Sequence, residues 1–261
     1  MTTPTDTGAT TPTHAPAAPG TGRVAEIVGC HLLFYLFVWT VIGALLLTVN
    51  LVANWVWGDV EGSHWDGQVN VFQYAILFGG IMVAAGYLPV IVANGVTRRA
   101  AVGGGIVAIV LLAIAGAVLT TLVFGIEHAV FAINDWPHVL TGDEMHVYDR
   151  PDQYGLILVD VVARYLTHAF AGMVVGVGLY RFGWVWGAPF ILAGAVLAIV
   201  AEYLVGSGFV GVRLGDALGL DPPPVGVGVA GCVVVATAAA LLAGWLARGM
   251  PILIRHSSWW R

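Results

Sequence analysis

The chain contains no lysine: all ten of its basic residues are arginine. A P-loop of the form G-x-x-x-x-G-K-[ST] needs its lysine to reach the β/γ-phosphates. ATP chemistry of that type is therefore excluded from this polypeptide. Charge of either sign is also scarce, at 10% of 261 residues, where a soluble domain carries about 25%. The formal net charge of −5 offers no basic patch for nucleic acid. Only two cysteines occur, Cys30 and Cys232, in or beside apolar runs and without C-x-x-C spacing. Both are expected to be small apolar side chains rather than halves of a disulfide. Neither G-x-S-x-G nor H-E-x-x-H is found, which removes the usual nucleophile-elbow and zinc-protease readings.

What fills the chain instead is apolar. Hydrophobic residues make up 59%, mean hydropathy is +0.88, and ten tryptophans are present. Residues 1–22, rich in Thr, Pro, Ala and Gly, bury too little surface to offset their ordering entropy and read as a disordered tail. They lack the basic n-region, short apolar core and small-residue cleavage site of a secretory signal. A hydrocarbon core of ~30 Å needs about 20 apolar helical residues, and six stretches meet that length: approximately 31–57, 70–95, 101–126, 155–180, 184–206 and 225–248. Uniform apolarity without dyad alternation argues for helices rather than barrel strands. The expected fold is an all-α integral membrane protein, a six-helix bundle over 23–248 followed by a short tail at 249–261.

The arginines set an orientation. Arg23, Arg98, Arg99, Arg181, Arg248, Arg255 and Arg261 fall on one side of the six spans. The other side holds Arg150 and Arg213 among acids such as Asp59, Glu61, Asp66, Asp135, Asp143, Glu144, Asp149 and Asp152. Positive-inside bias then places both termini in the cytoplasm. Trp55, Trp57, Trp184, Trp186 and Trp245 lie near span ends, as an interfacial aromatic belt would. The longest loop, 127–154, lies outside and is apolar enough to fold back as a short interfacial segment. His138 and His146 within it are expected to be solvated.

Arg98 and Arg99 are the only adjacent basic pair in the chain. They follow "ANGVT", an Asn-Gly turn and a threonine able to cap the next helix. One reading is simple anchoring, with guanidinium groups snorkelling to phosphate headgroups. A second comes from likeness. "YLPVIVANGVTRRAAVGGGIVAIVLLA" resembles the segment of ABC-2-type transporter permeases in which a span ends in a small residue-Gly-x-Ser/Thr-Arg-Arg turn. The acidic "IEHAVFAINDWPH" stretch, the six spans and the internal termini are similar to that family as well. The resemblance implies an export permease, a dimer or paired permease in the cell membrane, energised by a separate ATP-binding subunit. Asn94, Gly95, Thr97, Arg98 and Arg99 would form its ATPase-coupling loop, with ATP held by the partner and no cofactor in this chain. The Thr/Pro-rich tail and the Gly103-Gly104-Gly105 run depart from the family pattern, and the three glycines are expected to soften the start of span three.

The fourth span carries Asp160, Arg164 and His168 at i, i+4 and i+8, stacked on one helix face. A charge at bilayer depth costs roughly 2.5–3.5 kcal/mol on insertion scales, so such groups face protein or a wet cavity. Glu202, toward the outer end of span five, is placed to join them, and Glu127 and His128 end span three. Two roles stay open for this intramembrane polar cluster: a clamp between spans four and five, or the lining of a transport path with His168 as its titratable member. A proton-coupled secondary carrier or an intramembrane enzyme would also have to use it. No paired-ligand spacing suggests a metal. Gly172 and Gly176 form a small-xxx-small pair suited to close helix packing. "GVGVAG" at 226–231 sits in an apolar span and reads as helix packing rather than nucleotide binding. Pro89 is expected to kink span two.

Overall fold

Glycine and proline placement explains most of the architecture. In the computed structural model, residues 20–57, 62–63, 65–140 and 147–250 are described. Asp59, Glu61, Asp143, Glu144, His146, Arg255, Arg261 and most of both tails (1–19 and 251–261) lie outside them. The helices are α1 (Thr21–Trp57), α2 (Trp65–Ile81), a π-helical turn (Met82–Tyr87), α3 (Leu88–Ala93), α4 (Arg98–Ile133), α5 (Tyr154–Val205), α6 (Gly211–Ala217) and α7 (Val225–Arg248). Among the described residues there is no strand. The fold is all-α, and five of its helical stretches are long and apolar enough to cross a membrane.

The fourth stretch, α5, runs for 52 residues but is not continuous: Gly183 has φ 75° and ψ −176°, a conformation open in practice only to glycine. The chain folds back there. A Cβ at Gly178 would meet the Phe190 ring at 2.2 Å, and one at Gly194 would meet Val175 at 2.3 Å. Phe182 stacks on Phe190 with centroids 5.3 Å apart. Arms 154–182 and 184–205 are thus packed against each other, and the runs 155–180 and 184–206 correspond to them closely.

The first arm is the central helix. From Asp160 to Gly178 every residue is buried except the half-buried Val162 and Leu166. Its glycines let α2 approach to backbone contact: a Cβ at Gly172 would lie 1.9 Å from the Leu77 carbonyl oxygen, and one at Gly80 the same distance from that of Ala169. Gly228 brings α7 equally close to Leu204 of the second arm, at 2.0 Å from its carbonyl oxygen. Outward faces are greasy: Phe34, Phe37, Trp184, Leu192, Val234 and Leu241 are each more than 60% exposed. A bundle with charges inside and large apolar groups outside is built for lipid.

Two expectations are corrected. The first helix begins at Thr21, not near residue 31, and so takes in the end of the supposed 1–22 tail. Its first turn is seated by Gly103 and Gly104, whose Cβ atoms would lie 3.1 Å from Thr21 Cγ2 and 2.5 Å from Val24 Cγ1. Those glycines therefore dock α1 on an uninterrupted α4 rather than soften its start. Pro89 follows a π turn, the kind of irregularity at which helices bend. The π turn before it supplies a wider i→i−5 bond, Leu88 N–H to Val83 O, accommodating a residue without an amide hydrogen.

Candidate functional site

Two regions gather the chemistry, one at each end of the bundle. At the first, Gly95 takes φ 88° and Thr97 accepts the Ala100 amide at 3.3 Å, capping α4. The turn and cap read from "ANGVT" are both formed, with Asn94 Nδ2 donating to the Val90 carbonyl at 2.8 Å. Asn94, Gly95, Thr97, Arg98 and Arg99 are all exposed. Arg98 donates through Nη1 to the Arg248 carbonyl at 3.5 Å, and Arg181 donates to the Leu246 carbonyl at 2.9 Å. Two guanidiniums thus serve the last-turn carbonyls of α7, which have no intrahelical donor. This end also holds Arg23, because α1 starts against Gly103 and Gly104.

Toward the other end lies a belt of buried polar groups. Asp160 and Arg164 pair along the first arm of α5 and are 0% and 1% exposed. Arg164 also donates to Asn70 Oδ1 at 2.9 Å. His168 Nδ1 donates to the Arg164 carbonyl at 2.9 Å, leaving Nε2 facing Glu202 Oε1 at 3.6 Å. A proton on Nε2 turns that contact into an ion pair. Glu202 is engaged on both of its oxygens. Its Oε1 accepts from Gln73 Nε2 and Tyr74 Oη, and its Oε2 from the amides of Val210 and Gly211, all at 2.8 Å. The four predicted residues Asp160, Arg164, His168 and Glu202 do come together, as one chain of contacts linking both arms of α5.

Sequence reasoning missed their partners on α2. Asp66, Asn70 and Gln73 are buried at i, i+4 and i+7, one face of a helix. The signal is legible in "WDGQVNVFQYAILFGG", provided the helix is taken to start at Trp65. Tyr148, from the segment before α5, donates to Asp66 Oδ1 at 3.2 Å. Burial, reinforced by the negative charge of Asp66, holds its phenol well above the ordinary tyrosine range.

Glu127 forms a second buried knot. It accepts from Ser63 Oγ at 2.6 Å and from the Trp65 amide at 3.0 Å, so a carboxylate neutralises the start of α2. His138 Nε2 approaches it at 3.2 Å, and His138 Nδ1 meets His128 Nδ1 at 3.0 Å. His138 is therefore not solvated: its side chain is only 6% exposed. The loop does fold back, since the Ser63 amide donates to the Val139 carbonyl at 2.7 Å. His31 sits exposed on α1, and Arg23 and Glu26 pair nearer the start of the same helix. Among the described residues, no group of three His, Cys, Asp or Glu side chains is arranged to hold a metal ion.

Fold and site together define an all-helical, multi-pass membrane protein with a buried polar belt and an arginine-rich end. Comparison with protein-family models, with curated proteins and with solved structures returns no match.

Proposed function

We propose that this chain is the permease subunit of an ABC-2-type exporter, worked by a separate ATPase that grips the loop 94–99. It crosses the cell membrane six times, the arms of α5 being two crossings, with both termini and the arginine-rich end in the cytoplasm. The observation that carries the reading is the reach of that loop. It is exposed, rigidly capped by Thr97, and tied through Arg98 to the end of α7. A displacement at Arg98 and Arg99 is passed to α4 directly, to α7 through its terminal carbonyls, and to α2 through the π turn. Wide turns of this kind are places where a helix shifts register at low cost. A second copy or a paired permease completes the transporter.

The absence of lysine makes a clean test. Any vanadate-sensitive ATP hydrolysis that copurifies with the tagged chain from its native membrane belongs to a partner. Arg98→Glu with Arg99→Glu is expected to leave insertion intact and to remove that activity. Undiminished recovery would reject the coupling role.

One observation favours a second reading. Among the described residues Gln73 Oε1, Arg164 Nε and His168 Nε2 are buried without a hydrogen-bond partner, and each such group costs about 1–3 kcal/mol. A proton-coupled carrier would use that capacity in transport. Proton uptake by proteoliposomes that is lost in His168→Ala would support the carrier over the ATP-driven permease.

A further inference from the structure

The seam between α4 and α7 opens, at its arginine-rich end, into a cleft of about 740 Å³. Arg98, Arg99 and Arg248 stand around it, and Val102, Ile106, Leu241 and Trp245 form its walls. The cleft is open beside Gly244, a lining residue that carries no side chain. A Cβ at Gly244 would find its nearest neighbour, Val102 Cγ1, at 3.8 Å. Among the described residues no carboxylate forms an ion pair with any of the three arginines. Three uncompensated guanidiniums over an apolar slot ask for a ligand with an anionic head and a hydrocarbon tail.

We infer that this cleft seats one anionic phospholipid, its phosphate on Arg98, Arg99 and Arg248 and an acyl chain along the α4–α7 seam. Charge complementarity selects the head, because planar guanidinium forks bind phosphate oxygens bidentately. The apolar walls distinguish the site from mere snorkelling, which requires no slot. A soluble phosphate would leave those walls wet. Arg98 occupies a pivotal position, since it faces the cleft while donating to the last-turn carbonyl of Arg248. The lipid therefore closes α4 and α7 together, whatever energy source moves the bundle.

The full chain, reconstituted in nanodiscs of mixed phosphatidylglycerol and phosphatidylcholine and then ejected for native mass spectrometry, tests this. Wild type is expected to keep one phosphatidylglycerol and to release phosphatidylcholine. Arg248→Gln lowers retention about five-fold, the share of one basic residue near an anionic headgroup. Gly244→Leu keeps every arginine but fills the slot, and loses the lipid as well. The room at Gly244 lets that variant fold, and Leu241→Trp, at a residue 70% exposed, obstructs the same slot from the surface. Equal retention of the two lipids, or phosphatidylglycerol kept by both slot-filling variants, overturns the proposal. Arg98 and Arg99 are unchanged in all three variants, so partner ATPase recovery reports separately on the permease reading.

Discussion

The Gly211 amide donates to Glu202 Oε2 at 2.8 Å, and a Cβ on Gly211 would lie only 2.5 Å from Glu202 Cβ. The two residues fit because one has no side chain and the other is acceptor-only. Glu202 thereby fixes the turn after Val205 and the start of α6 onto α2 and the first arm of α5. Replacing it with alanine strands four donors. A cost of about 3–5 kcal/mol is expected for breaking a buried charged network by removing one partner. Unfolding in detergent should fall by roughly 10 °C, at ~2–4 °C per kcal/mol for a chain of this size. Glu202→Gln is expected to recover little, because whichever way its amide is turned the NH2 group confronts two of the four donors. A Gln variant as stable as wild type would show that the negative charge is dispensable.

The Asp160–Arg164 pair should behave as a clamp rather than as reactive groups. Arg164→Met alone leaves a buried carboxylate without its guanidinium and should cost about 3–5 kcal/mol, whereas Asp160→Leu with Arg164→Met should cost much less. Thermal unfolding of the two singles and the double closes the cycle. Equal losses for single and double would mean that Asn70, the other partner of Arg164, carries the coupling instead.

How much of this was legible in the sequence depends on the range of the contacts. The stacking of Asp160, Arg164 and His168 is local helix geometry and was readable. So were the Thr97 cap and the Gly95 turn. The hairpin at Gly183 could be anticipated because Arg181 and two tryptophans interrupt an apolar run longer than a bilayer needs. The beginning of α1 was not legible, since Thr21 and Val24 are helical against Gly103 and Gly104, some eighty residues away. His138 reads as a loop residue until Glu127 is found buried beside it. The α2 stripe is harder to read because Asn70 and Gln73 are neutral and only Asp66 carries charge.

Glycine substitutions in α2 and in the π turn after it should sort by what the new methyl group meets. At Gly80 it would lie 1.9 Å from the Ala169 carbonyl oxygen, at Gly79 3.0 Å from the mobile end of Leu112, and at Gly86 it meets nothing within 4 Å. Gly80→Ala is expected to lower stability by about 1–3 kcal/mol, as overpacking does. Gly79→Ala should be intermediate. Gly86→Ala should be neutral or slightly stabilising, through helix propensity of up to ~1 kcal/mol. Unfolding midpoints of the three variants in one detergent give the order. A reversed order would mean that α2 and α5 are not in backbone contact.

The final prediction concerns which loops share a side. Gly183 returns the chain at the end occupied by Arg98 and Arg248, since Arg181 donates to Leu246 of α7 there. In a chain with Cys30→Ser and Cys232→Ala, single cysteines at Asn94, Asp135, Val185 and Asp221 can be probed in intact cells with an impermeant maleimide. Positions 135 and 221 should label from outside, and 94 and 185 only after the membrane is opened. Labelling of 185 together with 221 would mean that α5 does not make two crossings. Labelling of 94 from outside would invert the orientation and put the arginine loop beyond the reach of any cytoplasmic ATPase. The bundle itself would be unaffected by that result, because the Gly80–Ala169 and Gly228–Leu204 contacts are independent of which face meets the cytoplasm.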